Sequence, residues 1–260
     1  MSVVALAAKG LTKRFGGLIV NHNIDLVLAR GARRALIGPN GAGKTTLVGL
    51  LSGAIRADAG TIALFGDDIT RDNPARRVKR GLVRTFQVSN LFMQLSILEN
   101  IFLAVSEQAG VTRDLWRPTA KRGALIECAD AIVEGLGLGS DRHRRIAEIA
   151  YGRQRLVEIG IALALQPKVL LLDEPAAGIP TGDVGILLRA MEALPPDIAI
   201  LLIEHDMQIV RRFATEVTVM VQGRVLATGA PADIMTSAEI RSVYLGAAGQ
   251  ARFGLTADHA

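Results

Sequence analysis

One stretch, GPNGAGKTT from Gly38 to Thr46, constrains the fold of this chain more than any other. It matches the pattern G-x-x-x-x-G-K-[ST] and follows an apolar run, Ala35 to Ile37, that is typical of a strand. Its glycines let the backbone turn where a Cβ would clash, so that successive N–H groups converge on a phosphate at the positive end of a helix. The pattern therefore predicts a strand, a phosphate-binding loop and a helix that Lys44 opens; a purely structural glycine-rich turn is the alternative.

Two side chains of this loop have separate expected tasks. Lys44 is placed to reach the β- and γ-phosphates of a nucleotide, and the hydroxyl of Thr45 can bind Mg²⁺. The predicted nucleotide-binding residues of the loop are Gly38, Pro39, Asn40, Gly41, Ala42, Gly43, Lys44, Thr45 and Thr46.

A second motif, VLLLDEP at residues 169–175, supplies carboxylates. Four apolar residues predict a buried strand, and they leave Asp173 and Glu174 at its carboxyl end, beside the nucleotide. Asp173 is expected to hold Mg²⁺ through water. Glu174, which should point to the other side of the strand, is expected to orient or deprotonate the attacking water. An ordinary strand end with solvated acids is the alternative.

Length and composition limit the kinds of protein that this chain can be. A chain of 260 residues that is 50% hydrophobic can bury a sizeable core, and it predicts one nucleotide-binding unit with a subdomain. The formal net charge of +5 permits contact with anionic lipid headgroups, nucleic acid or nucleotides, and does not choose among them. No run approaches the roughly 18 apolar residues of a membrane span, so any membrane role is expected to be peripheral.

Two further features bear on the compartment and on the first residues of the chain. Cys128 is the single cysteine and lies in an apolar, helix-like run, which predicts a buried thiol and a reducing compartment. The N-terminus has only a short apolar run with no basic residue before it. It is therefore expected to be a first β-strand rather than a signal peptide.

The order of the predicted elements indicates an α/β fold with an inserted helical region. From Tyr151 to Val221, helices alternate with strands, as expected of a parallel sheet covered by helices. Residues 88–148 interrupt this alternation, and within them SILE at 96–99 is a capping box that opens an apolar helix. The basic segment 71–84 is most simply a solvated helix face, because aromatic residues do not interleave it as in a nucleic-acid patch. The last residues, 246–260, lack periodicity and predict a mobile tail.

Five motifs occur in the order seen in the ATP-binding subunits of ABC transporters, and the chain resembles that family over about residues 3–245. The motifs are GPNGAGKTT, TFQ with Gln87, AYGRQR at 150–155, LLLDEP, and LIEHD with His205. The resemblance implies a P-loop NTPase core with an N-terminal antiparallel β subdomain and an inserted helical subdomain at about 88–148. RFGGL, LVRTFQ, DEPAAGI, LLIEHDM and VYLG make the chain look closest to importers of branched-chain or other hydrophobic amino acids.

The resemblance also implies roles for individual residues, with ATP and Mg²⁺ as cofactors. Phe15 matches the aromatic residue that stacks on adenine, although alone it could equally be a core residue. Gln87 matches the glutamine that touches Mg²⁺ or water and links the site to the helical region. His205 matches the histidine that contacts the γ-phosphate, whereas a lone histidine at a strand end would more often be structural. The expected catalytic residues are thus Glu174, His205 and Gln87, and the expected metal-binding residues are Thr45, Gln87 and Asp173.

The signature that the resemblance assigns to a partner subunit's ATP departs from the usual LSGGQ. Its residues are Ala150, Tyr151, Gly152, Arg153 and Gln154. Ala150 lacks the serine hydroxyl, but backbone N–H groups at a helix N-terminus can still face a phosphate, so binding should be weakened rather than excluded. The loop at 176–180 has Pro180 where an aspartate is usual. A second, non-identical ATP-binding subunit would accommodate both departures.

The leading hypothesis is a peripheral ATPase on the cytoplasmic face of the inner membrane. Its implied partners are two membrane permease subunits, a second ATP-binding subunit and, indirectly, a solute-binding protein. Leu91, Phe92, Met93 and Leu95 are expected to form a partly exposed apolar groove that seats a permease helix; packing into the core is the alternative. The rival hypothesis is a soluble ABC-type ATPase acting on nucleic acid or ribosomes. The chain has a single set of motifs and no sustained heptads, so no nucleic-acid partner is expected.

Overall fold

The computed structural model describes residues 3–85, 91–111 and 122–244. In chain order its strands are β1 (Val4–Phe15), β2 (Leu18–Ala29), β3 (Arg33–Ile37), β4 (Ala59–Leu64), β5 (Asp67–Asp68), β6 (Leu82–Arg84), β7 (Val169–Asp173), β8 (Ala199–Ile203), β9 (Glu216–Val221) and β10 (Arg224–Gly229). Its α-helices are α1 (Lys44–Ser52), α2 (Pro74–Lys79), α3 (Ile97–Gln108), α4 (Arg122–Gly135), α5 (Tyr151–Ala164), α6 (Val184–Glu192), α7 (Met207–Phe213), α8 (Pro231–Thr236) and α9 (Ala238–Tyr244). No helix in the described ranges has the length and apolar character needed to cross a lipid bilayer.

The strands form two sheets. β2, β1, β4 and β5 lie side by side, in that order, in an antiparallel sheet. The second sheet has the order β10, β9, β3, β8, β7, β6, and its neighbours run parallel except in the β9–β10 hairpin. Its strands β7 and β8 are buried along their whole length, because helices cover both faces of a parallel sheet. This α/β architecture, with an antiparallel sheet from the N-terminal part of the chain, confirms the predicted fold class.

The antiparallel sheet has one buried face and one exposed face. Along β2, Ile24, Leu26 and Leu28 are buried, whereas Asp25 and Val27 between them are exposed. Successive side chains of a strand point to opposite faces, which explains why buried and exposed residues alternate. The buried face shares one apolar cluster with α1 and with side chains of β7 and β8, so the two sheets hold α1 between them.

The helical region contains α3 and α4 and is packed onto the six-stranded sheet. α3 begins at the predicted capping box: Ser96 Oγ accepts a hydrogen bond from the Glu99 N–H at 3.2 Å, and the Glu99 carboxylate accepts one from the Ser96 N–H at 2.7 Å. Buried side chains of α3 and α4 join one cluster with α5 and with Leu170 and Leu172 of β7. Because the core is continuous, the boundaries of a subdomain at 88–148 and of a domain at 3–245 stay predictions.

Two sequence predictions fall outside the described residues. Gln87 belongs to the segment 86–90, and the predicted tail, 246–260, follows the last described residue, Tyr244. The expectations for both stay predictions.

The prediction of a buried thiol at Cys128 is wrong, because this residue is exposed. On α4 the buried positions include Ala129 and Val133, which lie about one turn apart and face the core. Cys128 is rotated from Ala129 by about 100° around the helix axis. An apolar run therefore predicted the helix correctly but not the face on which the cysteine lies.

The prediction that the basic segment 71–84 is a solvated helix face is wrong at Arg77. Arg76 and Lys79 of α2 are exposed, but Arg77 is only 2% exposed. Its guanidinium donates hydrogen bonds to the carbonyl oxygens of Leu50 and Leu51 at 2.7 and 2.6 Å. Carbonyls in the last turn of a helix lack intrahelical donors, so Arg77 of α2 completes the hydrogen bonding of α1.

Candidate functional site

The phosphate-binding loop joins the end of β3 to the start of α1. Gly38 has a φ of 156°, and a Cβ added there would lie 2.2 Å from the carbonyl oxygen of Met220. Gly43 has a φ of 93°, and a Cβ added there would lie 2.6 Å from the carbonyl oxygen of Val20. L side chains rarely adopt such φ values and would collide with these carbonyls. The loop can pass between its neighbouring strands only because both positions are glycine.

The N-terminus of α1 opens into a cleft. Gly43 is the N-cap residue and has no side chain to accept from the first-turn N–H groups, which keeps these donors for a ligand. The positive end of the helix dipole adds to their attraction for an anion. The cleft encloses about 270 Å³ and is lined by Val20, Asn40, Gly41, Ala42, Gly43, Lys44, Thr45, Thr46 and Glu174. The structure thus brings Glu174 to the cleft formed by the predicted phosphate loop.

Lys44 lies inside the loop rather than in solvent. Its side chain is buried, and Nζ donates to the carbonyl oxygens of Gly38 at 2.7 Å and Pro39 at 3.1 Å. Burial lowers the pKa of Lys44, and the charges of Glu174 and Asp173 oppose that shift. The ammonium group is therefore held near the N-terminus of α1, where it could contact the terminal phosphate of a nucleotide.

The two acids at the end of β7 lie in different surroundings. Asp173 is buried, whereas Glu174 is partly exposed and lines the cleft. The Glu174 backbone has a φ of 48°, and its N–H donates to the carbonyl oxygen of Ile203 at 2.9 Å. The chain thus leaves the sheet at Glu174 and turns this carboxylate towards the phosphate loop.

Asp173 is paired with an arginine that the sequence did not single out. Arg84 Nη2 donates to Asp173 Oδ2 at 2.5 Å, while Asp173 Oδ1 is buried and has no hydrogen-bond partner among the described residues. β6 and β7 pair in parallel with Arg84 opposite Leu171, two residues before Asp173. A buried carboxylate oxygen without a donor fits the preference of Mg²⁺ for hard oxygen ligands. Thr45, exposed at the first turn of α1, adds a hydroxyl, so the residues present fit a magnesium ion.

Glu204 connects the loops that follow β7 and β8. This residue is 1% exposed, and its two carboxylate oxygens accept from the N–H groups of Ala176 and His205, both at 3.1 Å. Burial raises the pKa of Glu204, and the hydrogen bonds from Ala176 and His205 oppose the shift. The His205 side chain is 47% exposed, so its imidazole is accessible while its backbone is fixed. An acid placed directly between a buried strand and His205 was the sequence signal for this connection.

β2 joins the phosphate loop to the β9–β10 hairpin. Asn21 Nδ2 donates to the carbonyl oxygen of Gly43 at 3.2 Å. The Gly223 N–H, in the hairpin turn, donates to the Ala42 carbonyl at 3.1 Å, and its own carbonyl accepts from the His22 N–H at 2.8 Å. Three parts of the chain that are distant in sequence therefore meet at the loop.

Phe15 lies at the end of β1 and is 51% exposed, so it is not a core residue. Lys13 Nζ lies 5.3 Å from the centroid of its ring. The described lining of the cleft includes Val20 from the same hairpin and does not include Phe15. An exposed aromatic face is what stacking on a base requires.

The signature residues surround the N-terminus of α5 and do not belong to the described lining of the phosphate-loop cleft. Ala150 is the exposed N-cap residue and offers no side-chain hydrogen bond to the helix. The Tyr151 hydroxyl accepts from Arg155 Nη2 at 2.5 Å, and the Arg155 guanidinium lies 5.0 Å from the centroid of the tyrosine ring. A Cβ added at Gly178 would lie 3.2 Å from Tyr151 Cε1, so Tyr151 also borders the loop at 176–180.

The remaining polar side chains of the signature are engaged within the subunit. Arg153 forms an ion pair with Asp141. Gln154 Nε2 donates to the carbonyl oxygens of Ile146 and Ile149, both at 3.2 Å. The backbone at the start of α5 is therefore the part of the signature best placed to meet an external phosphate.

Comparison with known proteins decides between the family hypotheses. A family model described as "ABC transporter" matches residues 21–177. The chain belongs to the ABC transporter family. The ABC chain is 38% identical over 256 residues to the high-affinity branched-chain amino acid transport ATP-binding protein LivG of Salmonella typhimurium, covering 95% of this chain and 100% of LivG. It is 34% identical to the corresponding protein BraF of Pseudomonas aeruginosa, with the same coverage.

A solved structure supports the same assignment for the ABC chain. The ADP conformation of an ATP-binding cassette of an ABC transporter aligns with a TM-score of 0.81 and 29% identity, covering 94% of this chain and 99% of that chain. The predicted family and the predicted class of ATPase are confirmed. Nothing among these relatives favours the alternative of an ATPase acting on nucleic acid.

Proposed function

We propose that the chain is the ATP-hydrolysing subunit of an importer for branched-chain or other hydrophobic amino acids. The observation that carries this proposal is the 38% sequence identity between the chain and LivG, which extends over the whole length of LivG. The name of LivG assigns that protein to high-affinity branched-chain amino acid transport. BraF, named for the same transport, matches over the same span. The transported solute itself is recognised by other subunits, so the proposal for this chain concerns the energy-supplying step.

ATP binds with its phosphates in the cleft at the start of α1. Loop N–H groups and the Lys44 ammonium hold the β- and γ-phosphates, and the exposed ring of Phe15 stacks on adenine. Thr45 and Asp173 Oδ1, with Gln87, would hold Mg²⁺, which when bound offsets the negative charge of the β- and γ-phosphates.

Hydrolysis uses the carboxylate of Glu174. It lines the cleft beside Lys44, where it can orient a water molecule or take its proton as the water oxygen forms a bond to the γ-phosphorus. The bond from that phosphorus to the bridging oxygen breaks, and the leaving electrons pass to ADP. His205 contacts the γ-phosphate, and Glu204 fixes the backbone from which its imidazole extends.

Two nucleotide-binding subunits share each ATP. Residues Ala150 to Gln154 of one subunit face the ATP held by the phosphate loop of the other, and binding of two ATP molecules closes the pair. The missing hydroxyl at Ala150 and the proline at Pro180 support a second ATP-binding subunit that is not identical to this chain.

The segment after Gln87 contacts a permease. Leu91 is buried, but Phe92 is 60% exposed and Met93 is 41% exposed, so only part of this apolar cluster belongs to the core. Two exposed apolar side chains beside the helical region form a surface suited to a helix of a membrane subunit. The complete assembly has two permease subunits, works with a solute-binding protein and places this chain on the cytoplasmic face of the inner membrane.

Uptake of labelled leucine by cells that express the chain with its permease subunits tests the proposed function. Glu174→Gln keeps the shape of the side chain but removes the base, so uptake and ATP hydrolysis should fall roughly 10²-fold or more while ATP binding persists. Glu127→Gln is the matched control, because Glu127 is exposed on α4 and should leave uptake unchanged. Normal hydrolysis by the Glu174→Gln assembly would contradict the role of Glu174, and hydrolysis without leucine uptake in the parent assembly would contradict the substrate class.

A further inference from the structure

Arg84 places a positive charge next to Asp173, the carboxylate that would attract a metal ion. Its guanidinium is bonded to Asp173 Oδ2, and the Asp173 side chain is 1% exposed. The Arg84 side chain is itself only 17% exposed, so solvent screens the pair weakly. The other carboxylate oxygen, Oδ1, is buried without a hydrogen-bond partner among the described residues. The pair therefore neutralises Asp173 and leaves one of its oxygens available.

The formal charges of the four ionisable side chains at the cleft and at the end of β7 cancel without any ligand. Lys44 and Arg84 carry the positive charges, and Asp173 and Glu174 carry the negative ones. In the described parts of the chain, no group of three or more carboxylate, imidazole or thiol side chains is arranged to hold a metal ion. A divalent cation without a nucleotide would thus find few ligands at the site and no net negative charge to attract it.

We propose that Arg84 is a built-in counter-ion that keeps free Mg²⁺ out of the site, so that the metal ion enters only together with the nucleotide. This inference rests on the proposed function for the identity of the metal site. Free Mg²⁺ would place two positive charges near the buried guanidinium, and like charges at low effective dielectric repel strongly. The phosphates of ATP bring both the missing oxygen ligands and the missing negative charge. Arg84 is a positioning residue in this scheme, because it acts on Asp173 and not on the nucleotide.

Thermal unfolding of the nucleotide-free chain tests the proposal without any hydrolysis. The parent chain should unfold at the same temperature in EDTA and in millimolar Mg²⁺, at matched ionic strength. In Arg84→Met a buried carboxylate loses its counter-ion, so the midpoint in EDTA should fall by about 10 °C, and Mg²⁺ alone should restore several degrees of that loss.

Two further variants isolate the charge pair. Adding Asp173→Asn to Arg84→Met removes the uncompensated charge, so the midpoint should rise in EDTA and the response to Mg²⁺ should disappear. Arg76→Met is the matched control, because the Arg76 side chain is 74% exposed on α2, and it should change neither the midpoint nor the response. Where Arg84→Met does not fold, recovery of folding by the added Asp173→Asn supports the counter-ion role, and no recovery contradicts it.

A midpoint of Arg84→Met that does not respond to Mg²⁺, or a parent chain that responds as strongly as this variant, would overturn the proposal. Either outcome leaves the proposed ATPase function intact, because neither measurement involves ATP or a permease. Conversely, if the isolated chain and its variants show the expected Mg²⁺ responses but the parent assembly fails to hydrolyse ATP, only the proposed function is contradicted.

Discussion

Arg77 shows how one side chain can serve the phosphate loop from a distance. Besides the carbonyls of Leu50 and Leu51, its guanidinium reaches the carbonyl oxygens of Asp72 and Thr70, both at 3.0 Å. All four partners are backbone acceptors, and two of them end the helix that begins at the phosphate loop. A cation at a helix C-terminus also interacts favourably with the helix dipole. The far end of α1 is therefore fixed by a residue outside every motif.

Loss of this arginine should destabilise the fold. Arg77→Met keeps much of the buried volume but removes a donor from all four carbonyls, and only the Leu50 carbonyl keeps another donor among the described residues, the Gly53 N–H. This loss should lower the free energy of unfolding by about 3 kcal/mol. Urea unfolding followed by circular dichroism measures the change. Arg76→Met, next in sequence but exposed, should have an effect within about 0.5 kcal/mol of zero. Equal effects of the two substitutions would contradict the structural role of Arg77.

Sequence alone could identify the residues of the phosphate loop, because their function requires fixed spacing along the chain. It could not identify the partner of Asp173, since Arg84 lies 89 residues away and meets it only through the pairing of β6 with β7. For the same reason the basic segment 71–84 appeared uniformly solvated, although Arg77 and Arg84 have buried partners. A run of charged residues shows only which residues are present, whereas the burial of each side chain depends on neighbours that are distant in the sequence.

At the scale of elements, the segment before α3 combines a rigid backbone with exposed apolar side chains. The Phe92 N–H donates to Asn100 Oδ1 at 2.9 Å, and Asn100 Nδ2 donates back to the Phe92 carbonyl at 3.2 Å. Asn100 is buried in α3, which the Ser96 cap holds at its first turn. The exposed Phe92 side chain is thus presented on a fixed support, as a preformed docking surface requires.

Phe92→Asp should therefore uncouple transport without unfolding the subunit. Its backbone anchors remain, but a charge in an apolar interface should reduce solute uptake by the assembly roughly tenfold or more, the effect of about 1.4 kcal/mol of lost binding. ATP binding and thermal stability of the isolated subunit should stay at parental values. Phe65→Asp, at an exposed phenylalanine elsewhere on the surface, serves as the control. Loss of folding in Phe92→Asp would show instead that the residue belongs to the core.

The sequence predicted best the elements in which the burial of successive residues follows a regular pattern. β7 and β8 are uniformly buried and appear as apolar runs, and α7, Met207–Phe213, takes its place in the predicted alternation of strands and helices. α2 has only six residues, too few for a period to emerge, so its orientation could not be inferred. Its start had a local signal, since Asn73 caps it and Pro74 follows.

At the scale of the whole molecule, the proposed function gives the subunit two separate halves of a nucleotide site. The phosphate-loop cleft contains the acids and the lysine, and the signature lies at the start of α5, outside the described lining of that cleft. A surface of backbone donors with no phosphate of its own subunit to bind is consistent with the proposed pairing of two ATP-binding subunits.

Ala150→Ser should raise the apparent ATP affinity of the assembled transporter by up to roughly tenfold, as 1.4 kcal/mol implies. The new hydroxyl would donate to the γ-phosphate held by the partner subunit, and a hydrogen bond to a charged acceptor is among the stronger ones. ATP affinity of the isolated monomer should not change. The measurement is ATP-dependent turnover of the assembly beside nucleotide binding by the monomer.

The N-cap position of Ala150 makes a matched control necessary. Serine at an N-cap stabilises a helix by about 1 kcal/mol on its own, so the monomer should become slightly more stable. Ala230 is the N-cap of α8 with nearly the same backbone conformation, φ −64° and ψ 148° against −61° and 149°. Ala230→Ser should reproduce the gain in stability without the gain in affinity. An affinity gain in the Ala150→Ser monomer, or none in the assembly, would count against a shared site.

The junction of β2, the phosphate loop and the β9–β10 turn has a mechanical consequence. The carbonyl of Ala42 accepts a hydrogen bond from the Gly223 N–H, and the carbonyl of Gly43 accepts one from Asn21 Nδ2. Each sheet is therefore hydrogen-bonded to the backbone of the phosphate-binding loop. Neither sheet can shift against the other without deforming that cradle. Under the proposed function, ATP bound at the loop would contact a backbone that both sheets hold, so a displacement of that backbone during hydrolysis would reach both sheets together.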